Sequence, residues 1–334
     1  MRAGGFAAVL ALALAAPAFA KDALPRAPDG HPDLNGVWSN ASVTQLNRLP
    51  GVAKLVVTEA EAQAMAKANG MVRRAEADAR PSKLDDNLLA DRNTEAGYNA
   101  FWMDPGMTLA KVRGEYRTSW IVTPSNGQLP LNDRGRAQAR LGPARQRAAP
   151  RGPEDLAPND RCLIGSRGSG GPGMLNNLYN NSYQIVQTRD VVAIVIEMVH
   201  DVRIIPIFPT KAKARSSHRP AALKLWLGDS VGWWEGDTLY VETINVHPEQ
   251  GAYGPILLSQ DGGVTESFRR VSADQIDYAF VVFDPVYYTE PWRAEMSLNA
   301  MTGQVYEYAC HEGNYALSGM LAGARAEEAK AAGR

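Results

Sequence analysis

The sequence predicts an all-β protein: an antiparallel β-barrel of calycin-like type with a mixed helical N-terminal arm. Three observations carry this. From residue 174 onward, short apolar runs rich in Val, Ile, Tyr and Trp are broken by turn residues. Little helical pattern separates them. Glu235-Gly236-Asp237, a short polar loop with a glycine, lies between Trp233-Trp234 and the apolar run 238–246, which is a hairpin signature. Strand candidates are 183–188, 191–199, 202–208, 238–246, 264–271, 276–283, 292–298 and 304–310. Short strands at this density fit a closed barrel or a sandwich, and the barrel is the expectation adopted. Gly36-Val37-Trp38 matches the GxW of lipocalin-type first strands, but Gly232-Trp233-Trp234 supplies a second copy, so the motif carries little weight.

Residues 1–20 read as a signal peptide: Arg2, the apolar run 6–15, then the small-x-small site Ala18-Phe19-Ala20. The expected location is therefore periplasmic or secreted. No later run reaches the roughly 18 apolar residues of a membrane span, so no membrane insertion is expected. Residues 21–334 read as a single β-rich domain: arm and loops over 21–173, the main sheet or barrel over 174–315, and a helical tail over 316–334. In the arm, 33–39 predicts a first strand, and Thr58-Glu59-Ala60-Glu61 is a capping box opening a helix over 59–75. Tyr98, Phe101 and Trp102 form an aromatic cluster, 117–123 reads as a strand, and Pro124-Ser125-Asn126-Gly127 is turn chemistry. An Arg/Ala segment is helical up to Leu141. Prolines and the Gly-rich stretch 165–173 then predict a linker or a loop laid over the surface.

The 35 basic and 36 acidic residues nearly cancel, which leaves no electrostatic footprint for nucleic acid. The two cysteines, Cys162 and Cys310, predict a disulfide in an oxidising compartment. Closing a loop of roughly 150 residues stabilises by at most about 4 to 5 kcal/mol.

The blocks Pro32-Asp33-Leu34-Asn35-Gly36-Val37-Trp38, Asp160-Arg161-Cys162-Leu163, Tyr183-Gln184-Ile185-Val186-Gln187-Thr188, His200-Asp201-Val202-Arg203-Ile204-Ile205-Pro206, Trp226-Leu227-Gly228-Asp229-Ser230, Trp234-Glu235-Gly236-Asp237-Thr238-Leu239 and Ala309-Cys310-His311-Glu312-Gly313-Asn314-Tyr315 span most of the chain beyond residue 20. With them the chain resembles a large, mostly uncharacterised family of exported bacterial proteins. The resemblance implies export and a common fold, and no activity. Members carry an Asp-Gly-Arg-Pro-His stretch before the WxGDS tryptophan. Here Phe208-Pro209-Thr210-Lys211 replaces its start, while His218 keeps the spacing to Trp226.

Chemistry is then read from side chains. If 191–207 were one regular strand, Ile194, Ile196, Met198 and His200 would share one face, and Glu197, Val199, Asp201 and Arg203 the other. A bulge at Asp201 would bring His200 and Arg203 together. His200 suits general acid/base work, with Asp201 or another carboxylate fixing its tautomer and Arg203 holding an anionic or enolate oxygen, or it is a structural histidine bonded to backbone. His218 sits in a basic loop with Arg215 and Arg219. Asp229, Glu242 and Glu266 supply strand carboxylates, and His311 and Glu312 form a further pair beside Cys310. No HExxH, HxH or CxxC occurs, so no metal is expected. Gly168-Ser169-Gly170-Gly171 is not a phosphate loop, so no cofactor is expected. Gly228-Asp229-Ser230-Val231-Gly232 spells GxSxG, yet a hairpin follows it instead of the helix that a nucleophile elbow needs. Aromatic residues, Trp226, Trp233, Trp234, Tyr240, Tyr278, Phe280, Tyr287, Tyr288 and Trp292, supply core and a lining for a cavity. Two functions fit: an exported enzyme performing acid/base chemistry (lyase, isomerase or hydrolase) on a small apolar or aromatic molecule, or a periplasmic binding protein holding such a molecule without turnover.

Overall fold

The computed structural model describes residues 24–78, 104–147, 149–165, 168–199 and 201–333. Residues 1–20, expected to be a signal peptide, the Tyr98, Phe101 and Trp102 cluster, and His200 lie outside them.

Nine strands close into a barrel: β1 (Gly36–Ser39), β6 (Ser182–Gln187), β7 (Val191–Ile196), β8 (Val202–Phe208), β9 (Asp229–Glu235), β10 (Thr238–Ile244), β11 (Gly263–Arg270), β12 (Gln275–Phe283) and β13 (Trp292–Ala300). β13 pairs back onto β1 through Trp38 and Ala300, which closes the wall. The short β5 (Ile121–Thr123) lies on the free half of β13, and β2 (Val56–Val57), β3 (Lys111–Val112) and β4 (Glu115–Arg117) form a small second sheet. Alternation fixes which side chains face inward. Tyr183 and Ile185, Val192 and Ile194, Leu239 and Val241, and Tyr278 and Phe280 are buried in the core, while Gln184 and Val186, the alternate positions of the first strand named, are exposed. Each large apolar side chain so buried contributes roughly 1.5–3 kcal/mol.

The barrel is mixed, which corrects the antiparallel expectation. β8 and β9 run parallel, paired through Ile207 with Gly232 and Phe208 with Trp233. The chain leaves β8, forms the short helix α4 (Lys211–Arg215), and crosses the outer wall so that β9 starts from the same end as β8. A parallel pair needs such a crossover. β9 escapes sequence detection because Ser230 and Gly232 occupy its inward positions. A Cβ on Gly232 would lie 2.7 Å from Ile207 Cδ1. Its outward residues Val231 and Trp233 pack beneath Ala214 of the crossover. The β9–β10 hairpin forms as expected, with Gly236 at φ 57° in a two-residue loop.

The Gly-rich segment is not laid over the surface. Residues 169–175 are buried and plug the mouth of the barrel. Their backbone is held by inward-facing side chains: Tyr183 Oη donates to the Ser169 carbonyl at 2.9 Å, Met174 N–H donates to Tyr278 Oη at 2.9 Å, and Gly173 N–H donates to Glu266 Oε1 at 3.3 Å. These bonds satisfy backbone groups that burial removes from water. Glycine is required at 173, where φ is 74° and a Cβ would lie 2.5 Å from Ile256 Cδ1.

Three further readings change. The apolar run 191–199 is not one strand: β7 stops at Ile196, a turn follows, and Val199 takes φ 59°. The hairpin sets Arg203 opposite Ile194, so both face inward. Residues 304–310 form no strand. The 117–123 segment divides into β4 and β5 around the buried Trp120, whose indole N–H donates to Asn176 Oδ1 at 2.8 Å. In the arm, the capping box forms between Thr58 and Glu61. The helix breaks at Asn69 into α1 (Glu59–Ala68) and α2 (Gly70–Asp78), where Asn69 Oδ1 accepts the Met71 N–H at 2.8 Å. α3 (Asp133–Arg147) runs past Leu141, and α5 (Pro248–Tyr253) and the tail helix α6 (Ala316–Ala331) complete the helices. Cys162 and Cys310 form a disulfide. Among the described residues no helix is long and apolar enough to cross a membrane.

Gly173→Ala should lower stability by about 2–4 kcal/mol through left-handed strain and overpacking. Gly323→Ala, inside α6 with nothing within 4 Å of its Cβ position, should instead raise it by about 0.5–1 kcal/mol. Urea unfolding of the two variants measures both. Equal effects would show that the plug is not tightly packed.

Candidate functional site

The sequence-derived candidates separate onto two sides of one wall. On the inside, Arg203 of β8 reaches along three successive strands. Its Nη1 donates to Glu266 Oε1 at 2.9 Å and its Nη2 bonds Glu266 Oε2, with Ser230 Oγ at 3.4 Å and Thr243 Oγ1 at 3.3 Å alongside. Tyr278 donates to the same carboxylate at 2.6 Å. The Arg203 and Glu266 side chains are 1% and 0% exposed. Burial alone would depress the Arg203 pKa, but Glu266 outweighs it and the guanidinium stays charged. Arg203 is thus committed to Glu266 and the plug rather than open to a substrate oxygen. Ser230, bonded to Thr243 at 2.8 Å, has no histidine beside it among these contacts.

On the outside, the neighbouring residues face the crossover. Asp229 and Glu242 project outward from β9 and β10 on a diagonal, Asp229 opposite Ile244 and Glu242 opposite Val231. Diagonal partners stand roughly 7–8 Å apart, a gap that an imidazole spans. His218 fills it: Nδ1 lies 2.8 Å from Asp229 Oδ2, and Nε2 faces Glu242 Oε1 at 3.5 Å, an ion-pair separation rather than a close hydrogen bond. Arg215 Nε donates to Glu242 Oε2 at 2.8 Å, and the Arg219 backbone N–H donates to Asp229 Oδ2 at 2.8 Å. The loop bearing His218 is pinned by Asn245, which accepts from Lys224 Nζ at 3.1 Å, and by the pairing of Leu225 with Val246.

Burial opposes a charged His218, but Glu242 and Asp229 outweigh it and raise its pKa above the ordinary 6.5. The neighbouring His218 imidazole in turn holds Glu242 low, with Arg215 adding to it against burial. With Asp229 accepting a hydrogen bond from Nδ1–H, the neutral ring carries its lone pair on Nε2. This unit can donate or accept a proton at Nε2 while Asp229 holds the ring.

His311 and Glu312 are exposed and follow Cys310 of the disulfide. A further ionic cluster, not expected from sequence, covers the outer face of β12 and β13. Glu295 there meets Arg113, Arg117 and Arg293. Burial raises the Asp277 pKa despite Arg113 and Arg269 nearby. Its two oxygens, and the buried hydroxyl of Ser297 opposite it, have no hydrogen-bond partner among the described residues. Among those residues no group of three or more His, Cys, Asp or Glu is arranged to hold a metal. Compared with known proteins, the chain matches no family model, no curated protein and no solved structure.

Arg203→Met leaves Glu266 charged and buried without its partner and should cost about 3–5 kcal/mol, whereas Arg203→Met with Glu266→Leu should recover most of that. Urea titration distinguishes them; a double variant no better than the single one would refute the pairing. For His218, the folded pKa lies above the unfolded one. Its stabilisation is therefore complete below about 6.5 and disappears as pH rises through the folded value. The stability gap between wild type and His218→Gln should shrink over that range, and a gap independent of pH would contradict a charged imidazole here.

Proposed function

We propose that this chain is an exported small-molecule enzyme doing acid/base chemistry, as a lyase, isomerase or hydrolase, on an apolar or aromatic substrate. His218 is the proton-transfer residue, Asp229 holds its ring, and Glu242 keeps Nε2 poised. The observation that carries the proposal is the His218 imidazole, gripped at Nδ1 and facing only a 3.5 Å contact at Nε2. A substrate atom that displaces Glu242 from Nε2 takes over as proton donor or acceptor, while Arg215 receives the displaced carboxylate. Leu223 and Leu225, 49% and 37% exposed on the same loop, and Trp226, stacked on His247 at 4.0 Å, support an apolar partner.

A calycin-like binding protein without turnover would hold its ligand in the barrel's central cup. Here the plug, Tyr183 and Tyr278 fill that space, which favours the enzyme reading. The resemblance to exported bacterial proteins supports a periplasmic site of action.

An untargeted substrate screen with the purified, disulfide-bonded protein tests the proposal. Turnover should fall roughly 100-fold or more in His218→Gln and in Asp229→Asn while unfolding midpoints stay cooperative. Turnover that survives both changes, or a ligand bound and released unaltered, would reject it.

A further inference from the structure

An arginine side chain is seldom buried unless a carboxylate meets it. Arg203 and Arg117, 3% and 6% exposed, follow this rule: the first meets Glu266, the second Glu115 at 2.8 Å and Glu295 at 3.5 Å. Arg48 is buried as deeply, at 6% exposed, and among the described residues it meets no carboxylate. It packs against Gly127 of the turn Pro124-Ser125-Asn126-Gly127. Its orientation is fixed from three directions. The Arg48 backbone N–H donates to the Gly127 carbonyl at 2.9 Å, Gln128 Nε2 donates to the Arg48 carbonyl at 2.8 Å, and Nη1 donates to the Ala53 carbonyl at 2.9 Å. Nε and Nη2 are buried and have no hydrogen-bond partner among the described residues. These two nitrogens share one edge of the guanidinium, where their N–H bonds run parallel and fit two oxygens of a single anion. What Arg48 leaves unpaired is therefore a complete fork. Gly127 keeps that edge clear: its φ is 69°, and a Cβ there would lie 2.9 Å from Arg48 Nε and 3.0 Å from Cζ. Ser125 and Asn126 of the same turn are exposed, which gives an ion a short way in.

We propose that Arg48 binds a small oxyanion, a carboxylate or inorganic phosphate, held on two oxygens by Nε–H and Nη2–H. Charge and geometry together set the choice. A lone buried positive charge is costly, and a bidentate oxyanion both neutralises it and satisfies the two donors. Water would satisfy the donors and leave the charge uncompensated, whereas a halide would supply charge without the second oxygen.

The test uses the full disulfide-bonded chain in a zwitterionic buffer at neutral pH, with sodium phosphate, acetate or chloride added at matched ionic strength. Isothermal titration calorimetry should show one saturable site for phosphate or acetate, about tenfold or more tighter than for chloride. The unfolding midpoint should rise with the same anion, as it does for any ligand held only by the folded chain. A stronger response to phosphate assigns a tetrahedral anion, and a stronger response to acetate a carboxylate. Arg48→Met should abolish both responses. Arg48→Lys keeps the charge and lacks the fork, so it should weaken binding by about tenfold or more, and it carries the test if the Met variant does not fold. Equal responses to all three salts, a response retained in Arg48→Met, or binding undiminished in Arg48→Lys would each overturn the proposal. The His218→Gln protein should bind the anion as wild type does; binding lost there would place the anion at the basic loop around His218 and reject Arg48.

Discussion

The Arg203–Glu266 pair is the interaction on which the rest of this fold depends. It lies inside the barrel, draws together five strands and three of their hydroxyls, and supplies the acceptor for Gly173 of the plug. Removing two charges from water is costly, and apolar substitutes of equal volume commonly serve stability as well or better. What the pair contributes is direction. A carboxylate with its lone pairs divided among a guanidinium, a phenol and one backbone N–H accepts the chain in one position. Apolar packing alone would let the plug settle in several.

The period of two along a strand sets the outer site against this inner one. Asp229 is followed by Ser230, and Glu242 by Thr243; the first of each pair meets His218 outside, the second meets Arg203 inside. A slip of one residue in the β9–β10 ladder would exchange the two sets. The buried pair therefore holds the register that keeps two carboxylates at imidazole spacing on the other face. Rigidity on the inside is passed to the outside through the strands themselves, without any contact between the two groups of side chains.

Much of this was legible in the chain. The strands from Tyr183 to Leu298 follow from alternation of apolar and polar residues, and the Gly236 hairpin from its turn chemistry. Elsewhere local pattern gave way to tertiary demand. Val199 continues an apolar run yet turns the chain, because the barrel needs Arg203 facing inward. β9 has glycine and serine where a strand normally shows bulk, because Arg203 and Ile207 already fill the space. The plug has linker composition, since only glycine lets a backbone approach side chains so closely. At the candidate site, His218, Asp229 and Glu242 could be singled out as residue types, but their meeting could not. It depends on a parallel crossover that sequence periodicity does not encode. Arg203 was read as a ligand-binding group because an arginine on a strand among ionisable neighbours looks the same from sequence whether its partner is a substrate or Glu266.

Closure of the barrel has a consequence for how the molecule forms. The seam joins Trp38 to Ala300, so the wall is incomplete until nearly the entire described chain is available. Contacts of such long sequence separation are slow to form, since loop-closure entropy must be overcome before they reward it. Until then β13 and β1 present open edges, and the buried charges of β8 and β11 lack the enclosure that makes them tolerable. A wall not yet closed at that seam leaves those edges free to pair with another chain.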